Sequence, residues 1–343
     1  MKIGNSEIEK LYIGEDEVDK LYLGTDLIYE KGSGPDYRTM PLTFEILSGG
    51  TICWKANSTA YTVTLEYSKN GGEWTEITSN TGTSAPTITV ESGDTVQFRG
   101  NNTTLAINSS SYNTFDGTSC NFRLYGNIMS ILNKNNFSTA DTLQSAYTFN
   151  SLFRNCGRLR DASNLVLPAT NLTNNCYNSM FTNCGVLTAP ALPATTLADR
   201  CYENMFYNCT ILTTAPALPA TTLANYCYNN MFTNCTSITT APELPATTLA
   251  NYCYFGMFQN CTGLTTAPEL PATTLAYYCY RYMFQGCNNL NYIKCLATNP
   301  STNDTQNWVN GVASTGTFVK AAGVTWSEGT SGIPSGWTIQ DNV

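Results

Sequence analysis

A unit of 26 residues recurs through the middle of the chain and constrains its fold more than any other feature. An earlier unit that starts at Cys176 is one residue shorter, and an irregular one surrounds Phe153. A single unit is too short to bury a core, so units at a fixed period must stack on one another. The sequence therefore predicts a stack of repeats over residues 146–296. Two series of cysteines mark the regular units: Cys201, Cys227, Cys253 and Cys279, and Cys209, Cys235, Cys261 and Cys287.

Within one unit, apolar side chains recur every four residues. This spacing predicts a short helix with one buried stripe. The next segment, Leu-Thr-Thr-Ala-Pro-Glu-Leu-Pro at 264–271, predicts an extended stretch because proline interrupts a helix. An extended segment and a short helix in each unit are typical of a leucine-rich-repeat-type solenoid. The stripe of one unit comprises Leu249, Cys253, Met257, Phe258 and Cys261.

Shorter patterns flank the repeats. Residues 1–30 repeat every ten residues and predict a β-meander that must dock on another surface, since it is too small to bury a core. Residues 31–39 form a predicted linker. We expect residues 107–145 to cap the first repeat and residues 297–343 to cap the last one.

Residues 40–106 predict an immunoglobulin-like β-sandwich, because short β-rich runs alternate with glycine-containing turns. The fold class expected for the whole chain is mainly β with short helices, and it combines meander, sandwich, solenoid and C-terminal cap. The six strands expected in the sandwich are 42–47, 51–55, 62–67, 74–78, 87–90 and 95–99.

The chain contains 14 cysteines and no histidine. Cysteine pairs with seven residues between them differ from the Cys-x2-Cys pairs of zinc sites, so we expect no metal and no cofactor. In a continuous helix the Cα atoms of Cys253 and Cys261 would lie about 12 Å apart. A disulfide needs a separation below roughly 7 Å. Buried thiols are therefore the preferred interpretation, and disulfides between adjacent repeats stay open as the alternative.

Charge and composition exclude several functions. With 17 basic and 25 acidic side chains the net charge is -8, which disfavours nucleic-acid binding. No apolar run is long enough to predict membrane insertion, and the start of the chain lacks the apolar run of a signal peptide. Without histidine a Ser-His-Asp site cannot form, and the sparse acids of the repeats suggest no acid/base pair. We expect no enzyme and no catalytic residue.

The Met-Phe-x-Asn-Cys-x-x-Leu-Thr pattern of the repeats resembles BspA-type leucine-rich repeats. The insert Leu244-Pro-Ala-Thr-Thr-Leu249 departs from their shorter common unit. Together, the Ile-Gly segments at the start, the run Lys69 to Trp74 and the run Gly332 to Trp337 resemble virion structural or fibre proteins of phages that infect Bacteroidales, crAss-like or related. The resemblance covers most of the chain.

Comparison of the repeats with one another predicts a binding surface. Positions that differ between repeats serve no shared packing, so we expect them to face solvent and to be able to bind a ligand. The tyrosines of the Tyr202 and Tyr226 series recur unchanged and are expected to pack within the stack. The candidate ligand-binding residues are Glu203, Asn204, Tyr207, Asn229, Asn230, Phe255, Gln259, Arg281, Tyr282 and Gln285.

The resemblance implies a non-enzymatic virion protein, either a fibre or a capsid or tail decoration. Its N-terminal segment would bind other virion proteins or a second copy, and its solenoid would present a surface to a host glycan or protein. The alternative is a host-encoded BspA-type adhesin on the bacterial cell surface. A glycan-processing enzyme is a third class, for which no residue can be nominated.

Overall fold

The computed structural model describes residues 35–117 and 119–342 in full and, within residues 1–34, the backbone of six short strands. The chain divides into two units, Met1–Tyr37 and Arg38–Val343. It is mainly β and contains several sheets. None of the helices in the described part has the length and apolar character needed to cross a membrane. Those helices are short 3-10 helices at Tyr37–Thr39, Gly82–Ser84, Ile128–Ile131 and Phe137–Thr139.

The first unit contains three antiparallel strand pairs, and each pair forms its own two-stranded sheet. The ten-residue repeat of the sequence thus corresponds to one hairpin per ten residues. The docking predicted for this segment depends on side chains that lie outside the described residues. The pairs are β1 (Lys2–Ile3) with β2 (Ser6–Glu7), β3 (Tyr12–Ile13) with β4 (Asp16–Glu17), and β5 (Lys20–Leu23) with β6 (Asp26–Glu30).

Nine strands follow and form two facing groups, which we call the two-sheet region (residues 40–127). One sheet has the order β10-β9-β12-β7-β15, and the other has the order β11-β8-β14-β13. Apolar and polar residues alternate along these strands, so one side of each sheet is buried. The strands are β7 (Leu42–Ile46), β8 (Gly50–Ala56), β9 (Thr64–Lys69), β10 (Thr75–Thr78), β11 (Thr87–Val90), β12 (Thr95–Arg99), β13 (Ala106–Asn108), β14 (Ser111–Asp116) and β15 (Phe122–Asn127).

The six strands predicted between residues 42 and 99 are confirmed to within two residues at each end. The sheets, however, extend past residue 106, where the sequence placed the start of a cap over 107–145. Strand β14 pairs with β8, and β15 pairs with β7. Phe115 and Phe122 of these strands are completely buried in the core. The Phe115 ring also stacks on Phe153 of the first repeat, with centroids 5.7 Å apart, so these strands both complete the two-sheet core and cover that repeat.

The repeats continue the first sheet in a parallel direction. Strand β16 (Leu159–Val166) pairs with β15 in parallel and becomes the sixth strand of that sheet. Parallel bridges then join the extended segments of successive repeats, from Asp161 to Thr188 and from Thr188 to Thr214. The two-sheet region and the repeats share one hydrophobic core. We call residues 146–296 the repeat stack.

The short helices predicted in the repeats are absent from the described residues of the repeat stack. Each repeat instead contains a ribbon of consecutive β-turns. We call these ten-residue segments the turn ribbons; they are 147–156, 175–184, 200–209, 226–235, 252–261 and 278–287. The predicted stripe is nonetheless inside: Cys253, Met257 and Cys261 are completely buried, and Leu249 is half-buried.

The turn ribbons form because every fourth residue has a positive φ. In one ribbon these residues are Tyr226 (58°), Asn230 (51°) and Asn234 (63°). A residue in this region ends a right-handed helix, in which all φ angles are negative. Backbone N–H groups then alternate: that of Asn229 bonds the carbonyl three residues back at 3.2 Å, and that of Asn230 bonds Phe255 of the next repeat at 2.8 Å. The period of four belongs to this ribbon.

Four ladders of identical side chains run through the repeat stack. One is the tyrosine ladder, in which the buried rings of Tyr177, Tyr202, Tyr228, Tyr254 and Tyr280 stack with centroids 5.7–6.1 Å apart. Buried phenylalanines stack from Phe153 to Phe284, with ring centroids 5.4–5.8 Å apart. Buried thiols donate to the carbonyl of this phenylalanine in the preceding repeat, as Cys235 Sγ does to Phe206 O at 3.1 Å. Asparagine amides bond one another, as Asn260 Nδ2 does to Asn234 Oδ1 at 2.9 Å. All 14 cysteines are free thiols, and 13 of them are buried.

Three parallel strands end the chain: β17 (Tyr292–Cys295), β18 (Thr317–Ala321) and β19 (Thr338–Asn342). Trp308 lies over the last ring of the tyrosine ladder, with its centroid 6.1 Å from that of Tyr280. Trp326 stacks on the far side of Trp308 at 5.7 Å. Indole rings thus cover the end of the ring columns within the segment 297–343 that the sequence assigned to a cap.

Candidate functional site

All ten candidate ligand-binding residues lie on the turn ribbons. None is open to solvent in the way the sequence predicted: nine are half-buried, and Asn229 is only 6% exposed. The reason is the short distance between repeats. Neighbouring chains in a parallel sheet lie about 4.8 Å apart, so a side chain on one ribbon is partly covered by its equivalents above and below.

The polar groups of several of these residues already form hydrogen bonds within the repeat stack. Glu203 accepts two hydrogen bonds from Arg200 Nη1, at 2.9 and 3.0 Å, and a third from Asn178 Nδ2 at 2.9 Å. Gln259 Nε2 donates to Gln285 Oε1 at 2.7 Å. The bonds from Asn178 to Glu203 and from Gln259 to Gln285 join adjacent ribbons. The candidates Asn204 and Tyr207 are not brought into one cluster with these residues.

Three of the ten candidates, Phe255, Arg281 and Tyr282, belong to a cluster of rings. Phe255 and Tyr282 meet edge to face with centroids 5.4 Å apart, and the Tyr252 centroid lies 5.9 Å from that of Phe255. Tyr226 stacks on Tyr252 at 4.3 Å. The aromatic patch, as we call this cluster, comprises Tyr226, Tyr252, Phe255, Tyr277, Tyr278, Arg281 and Tyr282.

Arg281 is the cation of the aromatic patch. Its guanidinium carbon lies 4.6 Å from the ring centre of Tyr278, 4.8 Å from that of Tyr282 and 5.8 Å from that of Phe255. Arg281 Nη2 bonds the Tyr282 hydroxyl at 2.9 Å. This hydrogen bond raises the pKa of Arg281, although partial burial opposes it, and the side chain therefore stays charged.

Two neighbouring tyrosines give the aromatic patch its exposed edge. The Tyr277 ring is 48% exposed and stacks on the Tyr278 ring with centroids 3.9 Å apart. A hydrogen bond with Tyr278, together with burial, raises the pKa of the Tyr277 hydroxyl to about 12. The Tyr277 hydroxyl is therefore a neutral donor and acceptor at physiological pH.

Four tyrosines of the aromatic patch were not among the sequence candidates: Tyr226, Tyr252, Tyr277 and Tyr278. Three of them recur at one position of the repeat and were expected to pack inside. The Tyr202 series, which lies two residues after the Tyr226 position in each unit, is buried as expected. The Tyr226 series instead occupies the positive-φ positions of the ribbons, at 56–58°, which turns these side chains towards the surface. Tyr226 lies four residues before Asn230 and eight before Asn234, and this period of four could have separated its series from the Tyr202 series.

Surface hollows lie elsewhere on the chain. One of about 400 Å³ is lined by Asn101, Asn102, Leu132 and Gln144, among others, where the two-sheet region meets the first repeat. Another of about 310 Å³ lies between the proline-containing segments of two repeats and is lined by residues 241–245, Pro268, Glu269 and Pro271. Neither hollow includes a residue of the aromatic patch. Among the described residues no group of His, Cys, Asp and Glu side chains is arranged to hold a metal ion.

The half-exposed rings and the single cation of the aromatic patch make it the best-defined candidate for ligand binding on the repeat stack. Its chemistry is stacking, hydrogen bonding through phenol hydroxyls, and attraction of negative charge. No protein-family model matches this chain, and no curated protein and no solved structure shows significant similarity to it.

Proposed function

We propose that this chain is a non-enzymatic structural protein of a phage virion, a fibre or a decoration of the capsid or tail. In this proposal the two-sheet region is an immunoglobulin-like spacer and the repeat stack is a leucine-rich-repeat-type solenoid. The hairpins of residues 1–30 attach the chain to other virion proteins or to a second copy. The repeat stack presents the aromatic patch to a glycan or protein on the host surface.

The observation that supports binding is the aromatic patch itself. Six rings from three consecutive repeats gather on one part of the stack, at positions that the buried ladders do not use. The C–H groups on one face of a sugar ring carry partial positive charge and fit the negative face of an aromatic ring. Every second backbone N–H of the ribbons beneath the patch bonds the next repeat, so the backbone that carries the rings is held in place before a ligand arrives.

The test is a glycan array probed with the full chain and with single variants. We expect Phe255→Ala to lower the array signal at least about fivefold, since truncation of an aromatic ring at a binding hot spot costs more than about 1 kcal/mol. The melting temperature should change little, because Phe255 is half-buried and outside the ring columns. Tyr112→Ala, which removes a half-buried ring from the two-sheet region, is the matched control. Equal losses in the two variants would contradict a site at the aromatic patch.

The alternative is a host-encoded BspA-type adhesin on the bacterial surface, which would use the same patch. It rests on the Phe-x-Asn-Cys motif of the repeats, whose phenylalanine and cysteine ladders are the core of the stack. Mass spectrometry of purified phage particles separates the two proposals. Recovery of this chain from particles supports the virion protein, and recovery only from bacterial envelopes supports the adhesin.

A further inference from the structure

Two repeats each carry an arginine on the turn ribbon, and the neighbours of the two arginines differ. Glu203 and Arg281 occupy the same position of the unit, three repeats apart, and Arg200 and Tyr278 occupy another. In the earlier repeat Arg200 forms an ion pair with Glu203 at 2.9 Å and covers the Tyr226 ring at 3.9 Å. In the later repeat the arginine has replaced the acid, and a tyrosine has replaced the arginine. The arginine of the later repeat therefore lacks the acidic partner that the arginine of the earlier repeat has.

The guanidinium of Arg281 has incomplete partners. No carboxylate of the described residues lies within 4.0 Å of it. Its Nε is buried without a hydrogen-bond partner, and its Nη1 donates to none of the described residues. Asp304, the acid that contacts this part of the ribbon, accepts instead from the backbone N–H of Tyr278 at 3.2 Å. The Nη1 group can still donate, so a ligand that supplies an acceptor there gains a charge-assisted hydrogen bond.

We propose that the aromatic patch binds acidic saccharides, with a hexuronic acid carboxylate on the guanidinium of Arg281 and the sugar ring against Phe255 or Tyr282. This inference rests on the proposed function and names the ligand class of the same site. A carboxylate is planar and can accept two parallel N–H bonds from a guanidinium, which a neutral hydroxyl cannot. The flanking rings exclude water from one side of the pair and strengthen it.

An uronic acid fits this surface better than an acidic protein segment does. The rings beside the cation offer flat faces to a flat, hydroxyl-rich ligand, and the hydroxyls of Tyr277 and Tyr278 can exchange hydrogen bonds with sugar hydroxyls. A single cation can neutralise one carboxylate, whereas a run of acidic side chains would meet a chain whose net charge is already -8.

Isothermal titration calorimetry of the full chain tests the proposal with trimers of galacturonic, glucuronic and mannuronic acid and with their methyl esters. The methyl ester keeps the ring and removes the charge, so we expect at least one acid to bind at least about tenfold more tightly than its ester. R281Q should remove this preference, and R281K should retain part of it, because lysine keeps the charge and loses the paired geometry. R123Q removes the same charge from the two-sheet region, outside the aromatic patch, and should leave the affinity within about twofold.

Three results would overturn the proposal. One is equal binding of acids and esters that Phe255→Ala weakens alike; the proposed glycan-binding function would then stand with a different ligand class. Another is equal weakening by R281Q and R123Q, which would indicate unspecific attraction of charge. The third is no binding of any trimer. In that case the glycan array decides whether the proposed function fails as well, since neutral glycans on the array report on the patch independently of charge.

Discussion

Three central buried rings of the two-sheet region meet at steep angles, whereas the buried phenylalanines of the repeat stack lie nearly parallel. Phe44, Phe98 and Phe115 cross one another at 59–67°. The phenylalanine column of the stack has angles of 1–15° between successive rings. The first arrangement is a three-dimensional packing of unrelated residues, and the second is one contact repeated at each unit. Local damage should therefore spread differently in the two regions.

The two regions also differ in the groups that would resist a change of pH. The described carboxylates with a lowered pKa belong to the two-sheet region. Hydrogen bonds from Asn70, Lys69 and the backbone N–H of Glu91 lower the pKa of Asp94 to about 2. The repeat stack buries thiols instead, and burial raises the pKa of Cys209 and of Cys227 to about 12. Among the described residues, the carboxylates with a lowered pKa thus lie in the two-sheet region, and the thiols with a raised pKa lie mainly in the repeat stack.

The largest effect we predict is the selective loss of the repeat stack in alkali. A thiol with a pKa of 9.0 in the unfolded chain and about 12 in the folded chain stabilises the fold fully below pH 9. That contribution is lost as the pH rises from about 9 to about 12, and many repeats lose it together. Hydrogen exchange measured by mass spectrometry at increasing pH should show the turn ribbons opening before strands β7 to β12. Simultaneous opening of both regions would contradict this.

Acid should reverse the order of sensitivity. Asp94 has a pKa lowered from 3.8 to about 2, so its contribution is present above pH 4 and is lost as the pH falls towards 2. We expect protection to fall first around the turn that Asp94 and Asn70 close in the two-sheet region. Asp94→Asn should remove this acid dependence and leave the alkaline transition unchanged.

A ring deletion should separate the two kinds of core. Phe232→Ala removes a ring that stacks on Phe206 and on Phe258, and Phe98→Ala removes one from the two-sheet region. Each should lower the free energy of unfolding by about 3–5 kcal/mol. In urea, Phe232→Ala should give two transitions because it uncouples the repeats on its two sides, and Phe98→Ala should give one. A single transition in both variants would mean that the stack is as cooperative as the sheets.

The smallest effect concerns one backbone conformation. Asn234 has φ of 63°, and the chain itself places glycine at the equivalent Gly286, with φ of 77°. Asn234→Ala should cost about 1 kcal/mol, because alanine is strained in the left-handed region. Asn234→Gly should cost less than alanine although it loses the same amide ladder. Equal losses in chemical denaturation would attribute the role of asparagine to its hydrogen bond.

Sequence periodicity was enough to predict the stack and its buried residues. Cysteine, methionine and phenylalanine recur without change because each must match its equivalent in the next repeat, and they are all inside. The strands of residues 42–99 were also predictable, since apolar alternation and glycine turns specify them locally. The helical conformation predicted for the segments that carry the recurring cysteine, methionine and phenylalanine was wrong. A spacing of four is compatible with both an α-helix and a ribbon of turns. Asparagine or glycine at several positions of this series, as at Asn230, Asn234 and Gly256, favours the ribbon.

The candidate site was predictable only in part. Phe255, Arg281 and Tyr282 were found because they differ between repeats, and variation indicated freedom from the core. Tyr226, Tyr252 and Tyr278 were missed because they do not differ. Whether a recurring tyrosine points inward or outward depends on the sign of φ at its own position, and that sign is set by backbone bonds to the next repeat rather than by local sequence.

The alternating backbone bonds of the turn ribbons also determine how the molecule can change in size. Every inner unit donates to the unit after it and accepts from the one before it with the same set of atoms. A unit could therefore be duplicated or deleted without any new fit being required. Each such event would move the distal end by one strand spacing, about 4.8 Å. Recombination within the gene could in this way change the length of the repeat stack in equal steps while the aromatic patch and both ends stay intact.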